Sequence, residues 1–197
     1  MTRVPLPRLL VLCLLFTLAV VGRPAGAAAW GLDQLMAALA HGANGRATFT
    51  ERKYLAVVDI PIDSSGELRF VPPDRLEKRT LKPSPETMLL DGDTLTLERG
   101  SRKQVLQLQD YPGVAGMIGS IRATLAGDRK ALEKVYHLKL DGTAEHWSLL
   151  LTPRDAKVAQ VVSEIRIEGR RDEVRSVEIE QAGGDHSVMT IRKAGTS

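Results

Sequence analysis

Cysteine, histidine, aromatic residues and long apolar runs are all scarce in this chain. One of its 197 residues is cysteine and 4% are aromatic. Cys13 falls in the amino-terminal leader described below, so the rest of the chain has no thiol for a disulfide or a metal thiolate. Leu12 before it and Leu14 after it do not form a lipobox, which needs a small residue just ahead of the cysteine. The histidines are His41, His137, His146 and His186, with no His-Glu-x-x-His among them. Ser120 lacks the flanking glycines of a nucleophile elbow. The expectation is therefore a chain with no catalytic residue, no cofactor and no metal site.

The leader itself is well marked. Arg3 and Arg8 give a positive start, Leu9 to Val21 is almost wholly apolar, and Gly22-Arg23-Pro24 breaks the run. That run is too short to cross a bilayer comfortably, and Ala27-Ala28-Ala29 has the small-x-small pattern cut by signal peptidase. These features predict a signal peptide over 1–29, export to the periplasm of a Gram-negative cell, and one domain over 30–197 starting at Trp30. The leader takes three of the 27 basic residues and none of the 24 acidic ones, so the mature chain is balanced in charge. The precursor's pI near 9.1 is then no sign of a nucleic-acid partner.

After the leader, Leu32, Leu35, Met36 and Leu39 share one face of a helix ending near His41-Gly42. From Ala47 the period changes to two. Strands are predicted over Ala47–Ala56, Gly66–Val71, Asp74–Leu81, Thr87–Leu90, Thr94–Glu98 and Gln104–Gln109. A second set covers Lys134–Leu140, His146–Thr152, Val161–Glu168, Val174–Gln181 and Ser187–Lys193. Turns are expected at Ser64-Ser65-Gly66, Pro72-Pro73, Asp91-Gly92, Arg99-Gly100, Asp141-Gly142 and Gly183-Gly184-Asp185. Between the sets, Val114, Met117, Ile118, Ile121 and Leu125 share a helical face that Gly127 can end, and Asp128 can cap a further turn to Glu133. Short connections make the sheet antiparallel. The fold class is mainly β: a curved, unclosed antiparallel barrel of about eleven strands, covered by two or three helices.

Alternation gives the strands one apolar face. It carries Leu68 and Phe70, Leu95 and Leu97, Leu106 and Leu108, Leu138 and Leu140, Trp147, Leu149 and Leu151, Ile165 and Ile167, Val177 and Ile179, and Leu76 joins them only through the resemblance described below. With Met117, Ile118 and Ile121 of the second helix, these are the candidate lining of an apolar ligand cavity. The same pattern also fits a plain packed core. If Asp141-Gly142 is a two-residue turn, His137 and His146 oppose each other on the outer face; no third ligand accompanies them, and they read as solvated residues. Asp91 and Asp93 read as turn formers, since no loop carboxylates follow at EF-hand spacing.

Several segments resemble the LolA family of periplasmic lipoprotein carriers. Phe49-Thr50-Glu51 resembles the Phe-Thr-Gln that opens the family's sheet, and Gly66 to Pro73 followed by Leu76 resembles its Gly-Asp-Leu-Trp, Lys-Arg-Pro and aromatic run. Leu89 to Leu95 is similar to its Asp-Gly hairpin, Leu149 to Pro153 to its Leu-Thr-Pro strand end, and Val174 to Ile191 to its last long hairpin. The resemblance spans nearly the whole mature chain in order. It implies a half-barrel whose helical lid covers an apolar cavity for the acyl chains of a lipoprotein, glycolipid or polyene lipid. It also implies a monomer passing cargo from an inner-membrane donor to an outer-membrane acceptor. An exported lipid-sensing or scaffold module is the alternative on the same fold. The family's lid-latching arginine falls on Pro72, and its aromatic pair becomes Leu76 and Lys78, so the lid is expected to be held by apolar contact alone.

Overall fold

The structure is a computed structural model that describes residues 30–42 and 45–194. The leader and its cleavage position lie outside these residues. Eleven strands form one sheet: β1 (Gly45–Leu55), β2 (Val58–Val71), β3 (Arg75–Lys82), β4 (Glu86–Asp91), β5 (Thr94–Arg99), β6 (Arg102–Gln107), β7 (Tyr136–Thr143), β8 (His146–Pro153), β9 (Val162–Arg170), β10 (Glu173–Gln181) and β11 (His186–Lys193). Their order across the sheet is β6-β5-β4-β3-β2-β1-β11-β10-β9-β8-β7, with antiparallel pairing throughout. β6 and β7 are the two free edges, so the curved sheet does not close on itself. The chain passes from one edge to the other through a 3-10 turn at Leu108–Asp110 and helices α2 (Pro112–Leu125) and α3 (Arg129–Val135). Helix α1 (Leu32–Gly42) precedes the sheet, and α4 (Ala156–Ala159) joins β8 to β9. Among the described residues there are thus four α-helices, the fourth a single turn, where two or three were expected.

Local chemistry accounts for the helices. α1 buries Leu35, Met36 and Leu39, its apolar stripe. Pro112 opens α2, where a missing N–H costs nothing, and Gly127 follows it at φ 67°, a left-handed stop that a side chain would strain. Asp128 caps α3 by accepting from the Ala131 amide at 2.9 Å. α4 escapes a periodicity reading because four residues are too few to show one. Its signal is Asp155, whose carboxylate accepts from the Lys157 and Val158 amides at 2.8 and 3.1 Å.

Two expected turns are strand instead. Ser64, Ser65 and Gly66 lie inside β2, paired with Glu51, Thr50 and Phe49. A central strand flanked on both sides has its backbone satisfied by the ladder, which overrides turn-forming composition. Gly66 serves a close approach: a Cβ there would lie 1.9 Å from the Arg79 carbonyl oxygen on β3. Asp141 and Gly142 belong to β7, and the β7–β8 turn falls two residues later, at Ala144-Glu145. His137 therefore pairs with Thr152 and His146 with Thr143, so the two histidines do not face each other. Lys134 and Val135 are helical, and Leu108 and Gln109 leave β6 for the 3-10 turn. The turns at Gly92, Gly100 and Gly184 have the positive φ that their glycines permit.

The sheet's concave face holds two separate packed clusters. The larger joins α1, Leu132 of α3 and Val158 of α4 to Tyr136, Trp147, Leu149, Leu151, Ile165 and Ile167 on β7–β9. The smaller centres on Leu90, Leu95 and Leu108, with Leu76, Met88, Leu97 and Leu106 against it. α2 bridges them: Met117 and Ile121 pack on the first, Val114 and Ile118 on the second. The middle strands β2, β1 and β11 lie between the clusters.

Candidate functional site

A cavity of about 430 Å³ occupies that gap between α2 and the middle of the sheet. α2 is oriented by its small residues. Gly113, Ser120 and Thr124 form its buried face. A Cβ at Gly116 would come within 2.3 Å of Val158, so glycine is what allows α2 to rest on α4. The Tyr136 hydroxyl donates to the Gly116 carbonyl at 3.3 Å, and its burial pushes the phenol up to about 12. The adjoining apolar face of α2, carrying Val114, Met117, Ile118, Ile121 and Leu125, is only half buried, and these residues line the cavity with Thr124. Large apolar side chains that pack on two clusters and still stay half-buried at a cavity leave apolar surface for a further molecule to cover.

Ten of the predicted lining residues come together here: Leu68, Phe70, Leu76, Leu95, Met117, Ile118, Ile121, Ile167, Val177 and Ile179. The other nine do not reach the cavity. Trp147, Leu149, Leu151 and Ile165 are fully packed under α1, α3 and α4, and Leu138 and Leu140 pack beside them. Leu97, Leu106 and Leu108 belong to the smaller cluster. Alternation gives the face of a residue, but which helix covers it decides between core and cavity. Met88, Met189 and Ile191 are cavity residues not anticipated from the sequence. In β11 the lining positions run Ser187, Met189, Ile191, and the serine interrupts the apolar pattern.

Charged residues also line the cavity and were missed: Arg46, Arg69, Asp172, Glu173 and Lys193 beside Glu51, Lys53 and Lys78. Glu51 and Lys53 share the inward parity of Phe49 on β1, and Lys78 shares that of Leu76 on β3. Charges on an alternating strand invite an outward reading, although parity alone places these inward. The Lys78 ammonium lies 2.5 Å from the Glu51 carboxylate and 4.9 Å from the centre of the Phe49 ring. The Ser64 hydroxyl donates to the same carboxylate at 3.2 Å. The Lys78 and Glu51 side chains retain only 22% and 11% exposure. Glu51 and Lys78 are two of the positions where the sequence departs from the Phe-Thr-Gln and aromatic pattern of the LolA family, and here they meet.

The lid is not held by apolar contact alone. Arg122, on α2, donates to the Gly92 carbonyl in the β4–β5 turn at 2.8 Å and lies 3.9 Å from Asp93. Pro72 sits exposed in the β2–β3 turn. The charged hydrogen bond therefore comes from the helix to the sheet. On the outer, convex face, Glu178, Glu180 and His186 bring possible metal-ligand atoms within 4.8 Å of one another. Both imidazole nitrogens already face carboxylates, Nδ1 at 2.6 Å from Glu180 and Nε2 at 3.5 Å from Glu178, and Arg166 approaches Glu178 at 3.8 Å. That arrangement is a surface ion network.

Solved structures with a similar chain path include a LolA superfamily protein from Nitrosomonas europaea, at 12% identity over 83% of this chain and 94% of that one, with a TM-score of 0.41. MucB of Pseudomonas aeruginosa, in its complex with MucA, is 16% identical over 84% of this chain and 58% of that one, with a TM-score of 0.46. The lipoprotein LppX of Mycobacterium tuberculosis is 9% identical over 83% and 96%, with a TM-score of 0.42. No curated protein sequence matches this one. The family model described as "Outer membrane lipoprotein carrier protein LolA-like" matches residues 24–196, and with that match over nearly the whole length the chain belongs to the LolA-like family.

Proposed function

We propose that this protein is a non-enzymatic periplasmic carrier that shields the acyl part of a lipid-modified protein or lipid-like molecule beneath α2. The observation that carries this reading is the half-buried apolar face of α2 over a cavity whose other wall is the middle of the sheet. Each buried CH₂ contributes about 0.8 kcal/mol, so acyl chains leave a membrane for water at a useful rate only if a dry site receives them. Non-directional aliphatic contact is easily remade elsewhere, which lets the site release the acyl part of its cargo. At about 430 Å³ the cavity lies toward the small end of the ~300–1,000 Å³ typical of ligand sites. A cargo with several chains requires α2 to move outward.

Leu76→Glu tests the reading. Leu76 lines the cavity and is half-buried. A carboxylate placed in a dry core costs several kcal/mol, and far less where a cavity admits water. The variant is expected to fold, with a thermal midpoint within a few degrees of the wild type, and to lose most of its uptake of a fluorescent fatty acid. A variant that fails to fold would make Leu76 ordinary core, and one that folds and binds normally would remove the cavity from the function.

A further inference from the structure

An ion pair largely withdrawn from water on the wall of a mainly apolar cavity needs a reason, because withdrawing two charges from water is often not repaid by their attraction; the other charged lining residues are Arg46, Lys53, Arg69, Asp172, Glu173 and Lys193. Lys78 and Glu51 are both largely withdrawn from solvent on the cavity floor. Lys53 lines the same floor two residues along β1, and among the described residues no carboxylate lies within ion-pair distance of it. One carboxylate and two ammonium groups leave this corner with an excess positive charge. Glu51 and the Phe49 ring hold the Lys78 ammonium in place, and an ammonium has three donors, so hydrogen-bonding capacity remains toward the cavity. Helix α2 supplies Met117 and Ile121 to the cavity lining, and neither side chain offers a counter-charge.

We infer that Lys78 and Lys53, with Glu51 orienting Lys78, form a head-group site, and that the cargo is an amphiphile with a singly charged anionic head such as a carboxylate or phosphodiester. The head group sits over β1 and β3, and its chain runs under α2 against Ile179, Met189 and Ile191. This inference rests on the carrier reading and adds the polarity of the cargo to it.

The test compares two probes of equal chain length, oleate and oleyl alcohol, by displacement of a fluorescent fatty acyl reporter from the full mature chain. A charge-assisted hydrogen bond gives the wild type a preference of about tenfold for oleate. Lys78→Gln is expected to bring the ratio of the two affinities close to one, and Lys53→Gln to reduce it. Glu51→Gln leaves Lys78 without its counter-charge, so oleate should raise that variant's thermal midpoint more than it raises the wild type's. If Lys78→Gln does not fold, the Lys53→Gln ratio and the Glu51→Gln midpoint decide the matter. A wild type that binds both probes equally, or substitutions that weaken both equally, would overturn the head-group site and leave the carrier reading intact. Binding of neither probe would overturn both.

Discussion

Arg122 carries the clearest single-residue consequence. Its guanidinium ties the lid helix to a turn thirty positions earlier in the chain, and its side chain is 28% exposed. A hydrogen bond from a charged donor to a carbonyl contributes about 1.5–3 kcal/mol when dry, and partial exposure reduces it to about 1 kcal/mol. Arg122→Gln should therefore speed amide exchange across α2 about fivefold in the empty protein while leaving β8 and β9 unchanged. Equal exchange in both proteins would mean that the bond does not hold the lid. Nothing in the sequence marks Arg122, because its partner is a backbone carbonyl brought near by the β4–β5 turn. Tyr136 gives a pH-dependent consequence. Its phenol is 1% exposed, and burial raises it from 10.0 to about 12. The unfolded chain releases that proton near 10 and the folded chain near 12, so this contribution is intact below pH 10 and is lost as pH rises through about 12. Urea midpoints at pH 9 and pH 11 should fall further for the wild type than for Tyr136→Phe. Equal falls would place the phenol in water.

The helix α2 is the element on which the functional reading turns. Its heptad-like apolar face was legible in the sequence, as were the first helix, the cap at Asp128 and nearly every strand. What periodicity did not supply was the direction of that face. The deciding residues are Gly113 and Gly116, which rest against Lys157 and Val158 of a helix four residues long. Once those small residues face protein, the large ones must face the cavity. Ile165 and Leu76 show the same limit on strands, since both alternate with polar neighbours. One ends up fully buried under helices and the other half-buried at the void, because covering is a tertiary property. At this scale the expectation concerns protection. Exchange in Val114–Leu125 should be fast in the empty protein and slow markedly when an acyl ligand fills the cavity. Slow exchange that a ligand leaves unchanged would make α2 a permanently packed helix and favour a scaffold over a carrier.

Across the whole molecule, eleven strands curl without closing, and the chain crosses from the edge at β6 to the edge at β7 by way of the lid. Residues along α2 pack alternately on the two clusters, Val114 and Ile118 on the smaller and Met117 and Ile121 on the larger, so the helix spans the gap between them. The two clusters supply stability and leave a cavity between them at the centre of the sheet. A cavity in which apolar residues predominate suits a ligand recognised mainly by its grease. The direct test is to purify the protein without detergent from its own cells, extract it with organic solvent and identify the extract by mass spectrometry. Met189→Trp, which fills the cavity from β11, is purified alongside. The expectation is acyl-bearing molecules in near-stoichiometric amount with the wild type and little with Met189→Trp. A wild type free of acyl material, or equal amounts from both proteins, would contradict it.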